Sequence, residues 1–282
     1  MNTDYDAATK FEERLSLSVF QSGRRRLEEG AWTYPGILGT FWRLYRNDRD
    51  GATVTVDGCI HPLRAGELTL VPPGVRFDCN NHAMVEHFYV HFDVLGLTGH
   101  AMRDLFDTPL SFVPPPDLAF EVALLAAAVL PELQNGSEML IHQCRLQSLI
   151  YFALAYHLQR LSPQQAERGR QRSAAILPVL PAVKWIEQHL SERIGNTHLA
   201  ALCHMNEDYF IQRFRECVGI SPVSYIQERR VMSAAPRLLF TDQTIDAIAE
   251  AVGFGSRNYL SRVFKQRMGI SPSTYRVRGA RV

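Results

Sequence analysis

One segment of this chain is present twice. Tyr209-Phe210, Phe214-Arg215, Gly219-Ile220-Ser221-Pro222 and Tyr225 return as Tyr259-Leu260, Phe264-Lys265, Gly269-Ile270-Ser271-Pro272 and Tyr275, each 50 residues further on. Two copies point to a duplicated helical unit and not to a solenoid or propeller. Each copy reads as two helices around a tight turn. In the second, Ile245, Ile248, Ala249 and Val252 line one helical face, and Gly253-Phe254-Gly255 breaks the helix. Ser256 can cap the next helix, which runs to about Met268; Gly269 stops it, Ser271 caps another, and Pro272 suits a first helical position. The first copy matches, with Leu199, Ala200 and Leu202 apolar, Asn206 as cap, and Gly219, Ser221 and Pro222 as stop and restart. Two short helices with this turn chemistry form a helix-turn-helix.

The second helix of each unit has two faces. Phe210, Phe214 and Cys217 are spaced for burial in one copy, as are Leu260, Val263 and Phe264 in the other. The opposite face presents Asp208, Ile211, Gln212 and Arg215 in the first unit, and Arg257, Asn258, Ser261, Arg262 and Lys265 in the second. A helix fits the major groove of B-DNA, where Arg reads guanine and Asn or Gln reads adenine. A single such helix could equally be an amphipathic helix with a solvated polar face. Duplication and charge favour double-stranded DNA as partner. The formal charge is only +1, yet residues 1–167 hold 13 Lys and Arg against 20 Asp and Glu, a net −7, while residues 168–282 hold 17 against 9, a net +8. A basic module after an acidic one points to a polyanion.

A length of 282 residues suggests about two domains, and 46% hydrophobic with 21% charged residues is a globular composition. The longest apolar run, Val122 to Leu130, is too short to span a bilayer. The first residues are polar and acidic, unlike a signal peptide. Five scattered cysteines (59, 79, 144, 203 and 217) without a Cys-x-x-Cys pair read as reduced thiols. A cytoplasmic protein without a membrane partner is expected.

Three zones precede and include the repeat. Residues from about 15 to 113 carry short alternating runs between turn signals: Thr53 to Val56 before Asp57-Gly58, Leu68 to Val71 before Pro72-Pro73-Gly74, and His87 to Asp93. That spacing suggests an antiparallel sandwich or barrel. Residues 117–161 turn helical, with Asp117 capping a helix that ends near Gln134-Asn135-Gly136 and Ser137 capping a second. Residues 162–174 are polar and basic and read as a linker.

Residues from about 179 to 278 resemble the DNA-binding domain of the AraC/XylS family of bacterial transcription regulators. The resemblance is carried above all by Ile248-Ala249, Gly253-Phe254, Ser256, Tyr259 to Lys265, Gly269 to Pro272 and Tyr275-Arg276. It implies seven helices: Val179–Leu190, Thr197–Cys203, Glu207–Cys217, a linking helix from Pro222, Ile245–Val252, Arg257–Met268 and a last one from Pro272. It also implies recognition helices in successive major grooves, with base contacts on Asp208, Ile211 and Gln212, then on Arg257, Asn258, Ser261 and Arg262. Two departures stand out. Glu207 and Asp208 suit a helix N-terminus but repel phosphate, and Pro236 falls where the linking helix should continue, where it would remove a hydrogen bond and kink it.

Gly66 to Asn81 resembles the second cupin motif, G-x5-P-x-G-x2-H-x3-N, except that Phe77 stands in place of the metal-binding histidine. The first cupin motif is absent. His87 and His91 share a strand face but would lie about 13 Å apart, too far to share one metal. No metal and no other cofactor is expected, and no catalytic residue. The resemblance is to the sensor domain of AraC-type regulators, a cupin barrel turned to ligand binding. Trp32, Tyr34, Phe41, Trp42 and Tyr45 are dense before the motif; such aromatics stack on sugar rings, although density of this kind also marks a plain core. Polar residues facing a barrel interior are costly unless they meet ligand or water. Trp42, Arg43, His87 and Tyr89 are therefore the candidate ligand residues, with a carbohydrate as the expected effector.

The second helix, 137–161, has apolar residues over more than one face (Leu140, Ile141, Cys144, Leu149, Phe152, Ala153, Tyr156 and Leu161). One stripe can pack on the barrel and the excess suits a partner helix, which fits the dimerisation the resemblance implies. The sequence is thus expected to be an α+β two-domain protein. Residues 1–161 would form a cupin-like β-barrel with a helical pair for sensing and dimerisation, and 175–282 an all-α double helix-turn-helix. Its expected function is effector-controlled transcription regulation, with RNA polymerase as a candidate further partner. Two alternatives remain: a metal-dependent cupin enzyme fused to a DNA-binding domain, and a DNA-binding protein without an effector.

Overall fold

The computed structural model describes residues 16–95, 105–127 and 136–279. The N-terminal half is built of two antiparallel sheets. Strands β1 (Ser16–Leu27), β3 (Trp42–Asn47), β6 (Leu68–Val71), β8 (Val85–Leu95) and β9 (Leu110–Phe112) form one, in the order β1-β8-β3-β6-β9. Strands β2 (Tyr34–Leu38), β4 (Ala52–Val56), β5 (Cys59–Leu63) and β7 (Arg76–Asn81) form the other, in the order β2-β7-β4-β5. The expected strands at 53–56, 68–71 and 87–93 are all present. The β4–β5 hairpin turns on Asp57 and Gly58, at φ 49° and 80°. Two consecutive residues with positive φ make the tight turn whose twist matches the flanking strands, so the Asp-Gly pair fixes the register Val56 opposite Cys59.

Side-chain alternation divides the larger sheet into two faces. Trp42, Leu44, Phe88, Val90, Phe92 and Val94 point outward into a core shared with two helices, α1 (Pro116–Ala127) and α2 (Gly136–Gln159). Tyr45 and its neighbours point inward, toward Val54, Val56, Phe77 and Cys79 of the smaller sheet. The larger sheet is therefore the middle layer of three. The end expected for the first helix, near 134–136, lies at the edge of a stretch outside the described residues. Along α2, Leu146, Leu149, Ile150 and Ala153 are buried against the sheet, while Leu140, Ile141 and Leu158 remain exposed.

Residues 162–174, expected as a linker, are the body of a helix, α3 (Pro163–Ile176). Ser162 accepts from the Gln165 backbone N–H while the Gln165 side chain accepts from the Ser162 N–H, a reciprocal capping box that starts a helix in spite of polar composition. A 3₁₀ turn (Leu177–Val179) leads into seven further helices: α4 (Leu180–Gln188), α5 (Asn196–Leu202), α6 (Glu207–Val218), α7 (Pro222–Phe240), α8 (Ile245–Ala251), α9 (Arg257–Met268) and α10 (Pro272–Gly279). These match the expected seven to within two residues at each end that was given. Helix α7 runs unbroken through Pro236, which is buried; the missing N–H removes one helical hydrogen bond without ending the helix. The two units have separate cores. Phe210, Phe214 and Tyr225 anchor the first, and Phe254, Leu260 and Phe264 the second, with α7 contributing to both. No helix among the described residues is long and apolar enough to cross a membrane, and all five cysteines are free.

Candidate functional site

The duplicated unit builds two matching helices with exposed polar faces. Helix α6 starts where Asn206 accepts from the Tyr209 N–H at 2.9 Å and ends at Gly219, in the left-handed region at φ 87°. Helix α9 repeats the device with Ser256 on the Tyr259 N–H and Gly269 at φ 78°. Phe210, Phe214 and Val218 are buried on one side of α6, and Leu260, Val263 and Phe264 on one side of α9. Each buried phenylalanine holds its helix down by about 1.5–3 kcal/mol, and so fixes which face is left to solvent.

On α6 that outward face carries Asp208, Gln212 and Arg215, all exposed. Ile211 is the exception among the expected residues, since it packs partly against the core of the first unit. Gln212 donates to Glu216 at 3.1 Å, and Arg213 pairs with the same carboxylate. On α9, Arg257, Asn258, Arg262 and Lys265 are exposed and Ser261 is half-buried. Arg257 lies 3.6 Å from Asp246 of α8. The Arg262 guanidinium sits 5.2 Å from the centre of the Tyr259 ring, and the Tyr259 hydroxyl accepts from Gln227 of α7 at 2.7 Å. Tyr259 is thus a fixed platform under Arg262, a positioning residue that spacing alone did not reveal. Arg267 ties α9 back to α7 through Glu228 at 3.1 Å and through Ser224.

A second feature lies between the sheets and the helical half. A cavity of about 890 Å³ is lined by Phe20, Trp32, Tyr34, Phe41, Arg43, Tyr45, His87, Tyr89 and His91 from the strands and their connecting turns, and by Phe240, Met268 and Tyr275 from helices α7, α9 and α10. Arg43, His87 and Tyr89 were expected at such a site and line it. Trp42 does not. Successive side chains of a strand point to opposite faces, so Trp42 follows Leu44 into the helix-side core, where its ring lies 4.8 Å from Phe106. His87 is buried and its Nδ1 lies 2.7 Å from Asn47 Oδ1. Burial, with Arg25 adding to it, pushes the His87 pKa down to about 3. Burial, then Arg43 and His87, hold His91 well below the usual histidine value, and its Nδ1 is buried without a hydrogen-bond partner. Both rings are neutral near pH 7. Among the described residues no group of three or more His, Cys, Asp or Glu is placed to hold a metal ion, and Phe77 packs into the core between the sheets.

Helical residues of this cavity were missed because their partners lie far away in sequence. Phe240 stacks near Phe20, Phe41 and His91, at centroid distances of 6.5, 5.6 and 5.5 Å. Tyr275 lies 3.4 Å from Thr40 through their hydroxyls. Its repeat-mate Tyr225 instead donates to Glu187 within the helical half. The repeat therefore announces a tyrosine at both positions, while only the second one reaches the sheets.

Residues 199–278 match the family model described as a helix-turn-helix domain. The chain is 32% identical over 94 residues to the MmsAB operon regulatory protein of Pseudomonas aeruginosa, a match covering 33% of this chain and 31% of that one. It is 28% identical over 228 residues to the uncharacterized HTH-type transcriptional regulator YfiF of Bacillus subtilis, covering 77% and 70%. For the first relatives it matches, the chain spans only about a third of their length. Among solved structures, an apo single-residue variant of ToxT from Vibrio cholerae superposes with a TM-score of 0.53 at 12% identity, over 94% of this chain and 98% of that one. That likeness extends the shared fold to both halves.

Proposed function

We propose that the chain is a member of the AraC/XylS family of transcription regulators and that it binds specific DNA sites through α6 and α9 under the control of a small molecule held in the interdomain cavity. The observation that carries the DNA reading is the pair of capped helices, 50 residues apart, whose buried faces are alike and whose outward faces offer Gln212 and Arg215, then Arg257, Asn258, Arg262 and Lys265. Arg262, braced by Tyr259, suits a base edge, and Lys265, a turn further along, suits phosphate. Removing a base-reading Arg costs about 1–3 kcal/mol and relaxes one base pair, whereas removing a phosphate-bound Lys weakens all sequences alike and lowers the salt slope by about one. Selection of bound sequences from a random pool at fixed salt checks this. Arg262→Ala should flatten one position of the profile, and Lys265→Ala should leave the profile intact. If Arg262→Ala keeps the profile and merely binds less tightly, Arg262 contacts only backbone.

In this reading residues 1–161 sense and dimerise, 162–174 connect, and 175–282 bind DNA. The two sheets serve as a cupin-like barrel without catalytic or metal residues, and the chain is not an enzyme. Support for an effector comes from the cavity, which draws its lining from both halves. A carbohydrate, the class expected from the sequence, would find aromatic faces to stack on there but would leave the buried Arg43 charge unmatched. Leu140, Ile141 and Leu158, exposed on α2, support a homodimer. RNA polymerase remains a proposed partner of the DNA-bound form.

A further inference from the structure

Among the described residues two arginines are buried, and they are treated differently. Arg229 of α7 and Arg43 of β3 are each 5% exposed. A buried charge is costly unless it is paired. Arg229 is paired twice, with Glu187 at 2.8 Å and with Asp93 of β8 at 3.8 Å. Arg43 forms no ion pair among the described residues. Its one hydrogen bond runs from Nη1 to the Phe41 carbonyl oxygen at 3.1 Å, and its guanidinium lies 4.0 Å from the Phe41 ring centre. A guanidinium has five N–H donors, and Arg43 is a wall of the cavity. Asp242 is the one carboxylate among the lining residues, against Arg25, Arg43 and Arg76. Arg25 and Arg76 are exposed, so Arg43 alone carries a charge at depth.

We propose that the cavity takes a small organic carboxylate with an aromatic or other apolar body, its carboxylate seated on Arg43 and its body lying against Phe20, Phe41 and Phe240. This rests on reading the cavity as the effector site and names its ligand class. A single buried cation calls for a single negative charge, and a planar guanidinium pairs with carboxylate through two parallel hydrogen bonds. The neutral imidazoles of His87 and His91 add no second charge near pH 7. An uncharged sugar would leave Arg43 as it is. Phe240 and Tyr275 belong to the helical half, so the same molecule touches both domains. Burial pushes the Tyr275 phenol up, while Thr40 and the nearby Arg43 pull it back, and it stays a protonated donor facing the anion's seat.

The test uses the purified full chain with decanoate and 4-phenylbutyrate at pH 7.5, against their neutral amides and against glucose and arabinose. Binding is read by calorimetry and by thermal shift. At least one carboxylate should bind and raise the melting temperature while its amide does not. Arg43→Met should weaken that binding by about tenfold or more, the loss expected for a charge-assisted pair, and Arg43→Lys should retain part of it. Without ligand, Arg43→Met should melt no lower than wild type, because it removes an unpaired buried charge. Equal binding of carboxylate and amide, carboxylate binding unchanged in Arg43→Met, or no binding of either carboxylate to wild type overturns the proposal. Should Arg43→Met fail to fold, the wild-type carboxylate-to-amide comparison and Arg43→Lys decide. A sugar that binds where the carboxylates do not overturns this ligand class and leaves the effector reading standing. DNA affinity, measured separately, tests the regulator reading independently.

Discussion

Trp42 and Arg43 are adjacent in the chain and end in different cores. The sequence marks both as candidates because aromatics and arginines cluster there, and a strand face is legible only as a choice between two alternating sets. His87, Tyr89 and His91 were separable from Phe88, Val90 and Phe92 by polarity; Trp42 and Tyr45 were not. The buried histidines have a measurable consequence. His87 has a folded pKa of about 3 and an unfolded value near 6.5. Between these values the unfolded chain binds a proton that the folded chain refuses, so stability is complete above about pH 6.5 and is lost as pH falls toward 3. The loss is at most about 1.4 kcal/mol per pH unit for such a group. Urea midpoints measured between pH 7 and 5 should drop in wild type and drop less in His87→Gln; equal slopes would mean that His87 is not the group refusing the proton. Glycine placement gives a second residue-level test. Gly253 has φ 83°, and a Cβ there would meet the Leu190 carbonyl oxygen and the Arg230 guanidinium, whereas Gly255 at φ 68° has nothing within 4 Å. Gly253→Ala should therefore destabilise by about 1–3 kcal/mol, and more than Gly255→Ala, in chemical denaturation of the full chain.

Elements were most legible where caps and periodicity agreed. Asn206, Ser221 and Ser256 each accept the backbone hydrogen bond expected of them, and Gly219 and Gly269 each close their helix in the left-handed region. Helix α3 shows the opposite case. Its composition is that of a linker, yet the Ser162–Gln165 pair was present in the sequence as a start signal and outweighs it. Helix α2 reads as amphipathic over more than one face, but periodicity does not say which stripe meets the sheet. Leu149, buried at 1% exposure, and half-buried Phe152 belong to the intramolecular core, so a charge there would attack folding before any dimer. Leu140 and Leu158 are 60% and 44% exposed. The double variant Leu140→Arg/Leu158→Arg should sediment as a monomer with an unchanged melting profile, against a dimeric wild type. A wild type that is monomeric at micromolar concentration would remove α2 as the dimer interface.

At the scale of the whole molecule, the two halves meet through specific contacts among the described residues. Arg229 reaches from α7 to Asp93, Tyr275 from α10 to Thr40, and Phe240 into the aromatic wall of the cavity. None of these pairs was legible in the sequence, because the partners are separated by more than a hundred residues and no local pattern links them. The helical half was legible nearly in full, since its helices repeat and each copy checks the other. Both units hang on α7, which contributes Tyr225 and Ile226 to the first core and Val231 and Leu238 to the second, so a movement of α7 against the sheets would act on α6 and α9 together. The most direct measurement is a high-resolution chemical footprint of the full chain on a site selected from random DNA. Two blocks of major-groove protection should appear on one face, about one helical turn apart. Gln212→Ala with Arg215→Ala should erase one block, and Arg257→Ala with Arg262→Ala the other. A single block, or two blocks that both survive the α9 substitutions, would contradict the claim that the duplicated unit reads DNA twice.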